Sequence, residues 1–263
     1  MAIKPRVFVT VRPSKHSHAV GSPYIQNCFA DMGVTGSVYI KSQFPSSSGL
    51  GSSAAVTVAT LCAINDEFGL EKTREDIANM AFAIEKKVQK GRASPTDTAV
   101  SSYGGIVLIT GTSRRRLPPQ NLHIVIGDTL VSHNTSQMVE QVSELKKKHP
   151  AIVSHLLDAI EGVSLNAIHH LNNPEELGLY MDMNHALLDA LGVGHPALSR
   201  LVLAARAAGA FGAKLTGAGG GGCMVALCPK SLKHRVAKAI EACNARVIVT
   251  GIDTEGARKE KNV

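Results

Sequence analysis

Residues 45–55 read PSSSGLGSSAA and run straight into the helical pattern of residues 56–68. No other stretch constrains this chain more. Gly49 and Gly51 carry no Cβ, so the backbone there can turn sharply and approach a ligand closely. The first N–H groups of the following helix have no intrahelical partner, and the helix dipole adds partial positive charge. A turn of this kind in front of a helix is an anion site, above all for phosphate. Its candidate residues are Pro45, Ser48, Gly49 and Leu50, followed by Gly51, Ser52, Ser53 and Ala54. No lysine follows the glycines in the order GK[ST], and no GxGxxG follows a strand, so two commoner phosphate loops are excluded. A second glycine block, KLTGAGGGGCMVAL, occupies residues 214–227.

The chain has 263 residues, enough for one large domain or two modest ones. Its formal net charge is +7, but the basic residues are scattered, with small clusters at Arg114–Arg116 and Lys146–Lys148. Only 4% of residues are aromatic and none is Trp, which leaves little to stack on bases. The charge therefore suits a small anionic ligand better than nucleic acid. Apolar runs are short and interrupted, so no membrane span is expected. The first twenty residues lack a continuous apolar core, so no signal peptide is expected and the expected location is cytoplasmic. The five cysteines form no CxxC pair and read as reduced thiols. The pairs His16/His18 and His169/His170 lack a second ligand pair at zinc spacing and read as solvated side chains.

Strands are expected at residues 6–11 and 36–40, with a helix at 23–32 between them. Apolar residues recur at helix spacing over 71–90. A polar loop follows at 91–98 (GRASPTDT), and 99–110 suits a strand after the Gly104-Gly105 turn. Residues 111–120, with three arginines and two prolines, read as a linker. Beyond it come a strand at 123–127, helices at 137–148, 152–171, 177–191 and 196–208, a strand at 223–227, a helix at 231–243 and a strand at 246–250. The ending, GARKEKNV, reads as a frayed, charged tail. This divides the chain into domains at 1–117 and 118–263.

The two glycine motifs, in this order, resemble the second and third signatures of the GHMP kinases. Three further strings resemble the mevalonate kinases within that superfamily, of the archaeal type: ASPTDTAVSSYGG (93–105), GDTLVSHNTSQMVEQV (127–142) and MNHALLDALGVGHPALSRL (183–201). The resemblance implies an α+β, two-domain GHMP kinase fold with a ferredoxin-like C-terminal domain. It implies ATP and Mg²⁺ as cofactors, mevalonate as substrate and a homodimer. Asp97 would act on the acceptor hydroxyl, and Ser53 and Glu85 would hold the metal. Ser94, Thr135, Thr216, Gly217, Ala218 and Gly219 would contact substrate. By residue pattern alone, Glu85 reads as a solvated helix residue and Asp97 as a turn or cap residue.

The family's first signature, which carries an active-site lysine, has no counterpart in residues 1–44, so the N-terminal domain is expected to be truncated. Lys214, Lys41 and Arg206 are the candidates to supply that charge. Another small-molecule GHMP kinase and a non-catalytic nucleotide-binding relative are the alternatives this leaves open.

Overall fold

The computed structural model describes residues 1–15, 21–44, 49–91, 93–111, 113–132 and 134–260. Two compact units divide the chain. The first comprises residues 1–46, 51–119 and 252–263; the second comprises 47–50 and 120–251.

In the first unit, β1 (Val7–Pro13) pairs antiparallel with β2 (Gly36–Ser42), Val7 opposite Ser42 and Pro13 opposite Gly36. The helix α1 (Pro23–Met32) lies between them in sequence; Pro23 starts it and Gly33, at φ 67°, ends it. α2 (Ser52–Phe68) packs against β1, α1, α3 (Arg74–Val88) and α4 (Thr96–Tyr103). Val58, Leu61 and Ile64 of α2 are buried with Ile25, Phe29, Ile77 and Ile84. α2 is thus gripped on several sides, which fixes where its N-terminus stands. A capping box between Thr73 and Asp76 starts α3.

Three expectations are corrected in this unit. Residues 96–98 are the first turn of α4 rather than loop, so Asp97 sits on a helix. The 111–120 segment is not all linker. β4 (Ser113–Arg116) pairs antiparallel with β3 (Val107–Thr110), Leu108 opposite Arg115. Two of its three arginines are engaged: Arg114 donates to Asn79 Oδ1 at 2.8 Å, and Arg116 donates to the Thr254 carbonyl.

The third correction concerns the tail, which is held as far as Glu260. Ile252 bridges to Ile3, and the Asp253 N–H donates to the Ala2 carbonyl at 3.1 Å. The Ala257 N–H donates to Ser101, and Arg74 donates to the Glu255 carbonyl. Arg6 pairs with Asp253, and Arg258 pairs with Glu260 at 3.1 Å. Burial works against the Asp253 carboxylate, but the Gly256 and Glu255 N–H groups and two guanidiniums outweigh it and hold its pKa below the usual range. The alternating charges that suggested fraying are the groups that tie the segment down. Removing residues 252–263 is expected to lower the thermal midpoint by roughly 10 °C, measured by circular dichroism. An unchanged midpoint would show the strap to be ornamental.

The second unit holds a four-stranded sheet in the order β6-β7-β5-β8, every neighbour antiparallel. Its strands are β5 (His123–Asp128), β6 (Gly212–Leu215), β7 (Cys223–Leu227) and β8 (Arg246–Gly251). Four helices separate β5 from β6: α5 (Thr135–Lys148), α6 (Pro150–His169), α7 (Pro174–Ala190) and α8 (Pro196–Ala207). α9 (Lys233–Glu241) precedes β8. The strand order is that of a ferredoxin-like domain. α8 and α9 cover the sheet through Leu198, Leu201, Val202, Val236 and Ile240.

β6 escaped the sequence reading because its four residues merge into the glycine block. α6, 20 residues long with a mean hydropathy of 1.3 over its most apolar window, is long and apolar enough, by length and composition alone, to cross a membrane. It carries Asp158 and Glu161, and it packs on α5 and α7.

Candidate active site

Gly51 caps α2 in the left-handed region, at φ 71°, and supplies no side chain to the first turn. A Cβ there would stand 3.1 Å from the carboxyl carbon of Asp97. Gly51 is therefore needed twice: for its backbone angle and for the space Asp97 occupies. The Ala55 N–H already donates to the Gly51 carbonyl, while no partner is seen for the N–H groups of Ser52, Ser53 and Ala54 among the described residues. No acidic residue lies in the first turn of α2. A helix terminus left open in this way presents donors and positive potential to an anion.

In the first turn of α2, the Ser53 hydroxyl donates to Glu85 Oε1 at 2.7 Å. Glu85 comes from α3 and is only 3% exposed. Its burial raises its pKa, the Ser53 hydrogen bond opposes that rise, and the nearby Asp97 charge adds to it. The solvated reading of Glu85 from pattern alone is thus overturned. Asp97 reaches solvent, but dense protein surroundings strip enough water from its carboxyl to raise its pKa also. Among the described residues, no lysine or arginine forms an ion pair with either carboxylate. The amino terminus partly offsets the rise at Asp97, and the two hindered carboxylates beside a serine hydroxyl make a set of hard oxygen donors. That set fits Mg²⁺, which takes few protein ligands and keeps waters or phosphate oxygens for the rest.

Ser94 lies in the loop before α4, its Oγ 2.8 Å from the Thr96 hydroxyl. Pro45 and Ser48 lie outside the described residues, as do His16 and His18.

The second glycine block belongs to the second unit, as do Gly49 and Leu50. Gly217, at φ 75°, lies against Gly49: a Cβ on it would be 3.1 Å from the Gly49 carbonyl oxygen. The loop is pinned along its length. Thr216 donates to Cys223, Gly220 to the Val193 carbonyl at 2.8 Å, and Gly222 to the Val131 carbonyl at 2.9 Å. The Thr129 hydroxyl donates to the Gly222 carbonyl at 2.8 Å. No partner is seen for the N–H groups of Gly217, Ala218 and Gly219 among the described residues. Thr135 opens α5, whose cap is Asn134 accepting from Gln137.

Of the candidate substitutes for the lysine, Arg206 is committed to Asp182 at 2.7 Å. Lys214 donates to the Leu215 carbonyl at 2.9 Å, and burial pushes its pKa down to about 8.

Pattern reading gave no role to Asp182 and His185 of α7. Asp182 Oδ1 accepts from the Ala213 N–H at 2.8 Å and His185 Nδ1 from the Leu215 N–H at 3.3 Å. The available signal was the spacing Gly178, Asp182, His185, which puts a small residue and two acceptors on one helix face.

In the first unit, a helix terminus open to an anion stands beside two hindered carboxylates and a serine hydroxyl, a set suited to phosphoryl transfer. Family models agree along the chain: residues 21–105 match the GHMP kinases N terminal domain and residues 164–246 the GHMP kinases C terminal domain. The mevalonate kinase of Pyrococcus furiosus is 42% identical over 85% of this chain and 69% of its own length. The structure of the Methanococcus jannaschii mevalonate kinase matches with a TM-score of 0.82 at 25% identity, covering 96% of this chain and 90% of that one. That of the L. major mevalonate kinase, solved with R-mevalonate, gives 0.83 at 22% identity, covering 96% and 87%, and it supports the fold. The chain belongs to the GHMP kinases and, within them, to the mevalonate kinase family.

Proposed function

We propose that this chain transfers the terminal phosphoryl group of ATP to mevalonate, giving 5-phosphomevalonate for isoprenoid synthesis. The observation that carries the reading is the Asp97 carboxylate set against Gly51 at the open end of α2, with Ser53 of the same first turn bonded to Glu85. Phosphoryl transfer needs positioning and charge stabilisation more than covalent chemistry. The N–H groups of Ser52, Ser53 and Ala54, with the loop from Pro45 to Leu50, receive the ATP phosphates. Asp97 accepts the proton of the acceptor hydroxyl, a role its raised pKa suits. Ser53 and Glu85 hold Mg²⁺, which when bound neutralises phosphate charge. Ser94, Thr135 and the Thr216–Gly219 turn contact mevalonate. Family membership supports a cytoplasmic homodimer.

The test is ADP release by folded protein with Mg-ATP, with and without mevalonate, beside homoserine, galactose and phosphomevalonate. Mevalonate-dependent ADP is expected, with the other acceptors slower by orders of magnitude. Equal rates with another acceptor would move the chain to a different GHMP kinase, and tight ATP binding without turnover would favour a binding protein.

The metal reading has a readout apart from turnover. A carboxylate whose folded pKa is raised favours the folded state at pH values below its ordinary range. That contribution is lost as pH rises through the raised value. A divalent cation beside Glu85 offsets the loss. At neutral pH, Mg²⁺ is expected to raise the thermal midpoint of the wild type and to leave that of Glu85→Gln unmoved. An equal rise in both proteins would place the ion elsewhere.

A further inference from the structure

β6 is the edge of its sheet, so one side of the strand has N–H groups that no neighbouring strand takes. α7 runs along that edge. Gly178 of α7 comes so close to Phe211 and Gly212 that neither glycine could carry a Cβ without overlapping the opposing backbone. From that contact, Asp182 and His185 reach the outward N–H groups of Ala213 and Leu215. The spacing is commensurate. Seven helix residues and three strand residues each advance about 10 Å. Asp182 is itself held by Arg206, whose other bond goes to the Ala213 carbonyl at 3.1 Å. Leu215 is the last residue of β6, and Thr216 begins the turn into Gly217–Gly222.

We propose that Asp182 and His185 are positioning residues that set the entry of the glycine loop through the edge of β6, with His185 serving as an uncharged acceptor for the Leu215 N–H. An imidazole that accepts at Nδ1 carries its proton on Nε2 and is neutral. Protonating Nδ1 turns the acceptor into a second donor facing the amide, and the latch opens. The charged groups around the ring are Asp182 and Asp189 on α7, Arg206 on α8 and Lys214 on β6. Burial first, then the Arg206 and Lys214 cations, favour the neutral ring, outweighing the two aspartates. The latch is therefore closed at neutral pH and opens as pH falls below the ordinary histidine range.

The link from this latch to turnover rests on the mevalonate kinase reading; the latch itself does not. Wild type, His185→Asn and His185→Leu are compared. Asn keeps an acceptor at the δ1 position and does not titrate; Leu removes it. Amide exchange of the segment 212–223 is followed by mass spectrometry on the full chain, corrected for intrinsic rates. Mevalonate-dependent ADP release is measured alongside it, from about pH 4.5 to 7.5. At the upper pH, the segment is expected to exchange about tenfold faster in His185→Leu than in the other two, with kcat/KM for mevalonate down by a similar factor. Towards the lower pH, the wild type is expected to lose protection while His185→Asn keeps it. Equal exchange in all folded variants, or Asn behaving as Leu does, overturns the latch. Should His185→Leu not fold, the pH comparison of wild type with His185→Asn decides the matter: parallel curves overturn the latch. Wild type without mevalonate-dependent turnover would refute the kinase reading, while exchange would still decide the latch.

Discussion

Asp97→Asn is expected to lower mevalonate-dependent turnover by a factor of about 10²–10⁴, with fold and ATP binding retained. Asparagine preserves size and polarity, so the packing against Gly51 survives. The lost element is the negative charge and the ability to take a proton. The raised pKa of Asp97 has a visible counterpart. Turnover of the wild type should fall on the acid side at a pH above the ordinary carboxylate range, because there the base is protonated. The residual activity of Asp97→Asn should lack that limb. Steady-state rates across pH, with circular dichroism as the control for folding, check both. Near-normal turnover in Asp97→Asn would remove Asp97 from the chemistry.

Gly178→Val is the substitution expected to damage the second unit most, by roughly 3 kcal/mol or more. Gly178 is buried on α7, and a Cβ on it would overlap the Phe211 carbonyl. The obstacle is backbone, which cannot rotate away as a side-chain end can. α7 and β6 must separate, and the bonds from Asp182 and His185 are then stretched along the whole edge. Valine adds β-branching, which a helix tolerates poorly. Urea unfolding followed by far-ultraviolet dichroism measures the loss. A change within about 0.5 kcal/mol, the scale of ordinary surface substitutions, would show that the approach of α7 to β6 is not what holds this edge.

The parts of the molecule legible in sequence are those governed by short-range rules. Proline starts and glycine stops bracket α1, and apolar spacing announces α3. Short runs rich in β-branched and other apolar residues mark β1, β2 and β5. The glycine motifs stand out because several of their residues adopt positive φ, as Gly51, Gly217 and Gly219–Gly222 do. The features that were missed depend on partners distant in the chain. Nothing local tells Arg116 that Thr254 will accept from it, or Arg74 that Glu255 will. The burial of Glu85 follows from the packing of α2 on α3, which a helical wheel places only at the margin of the apolar face. β6 is four residues long and ends where the glycines begin, so no period could establish it.

The strap at residues 252–260 has a consequence for biosynthesis. The second unit is built almost wholly from one uninterrupted stretch, 120–251, and can close as soon as that stretch has left the ribosome. The first unit has to wait. Its residues 1–119 are made early, yet Ala2, Arg6, Arg74, Ser101 and Gly105 keep their partners unmet until residues 252–257 arrive. During that interval the older half of the chain is the incomplete one. Its exposure to proteases and to aggregation is set by how quickly translation traverses the younger half, not by the stability of the finished fold.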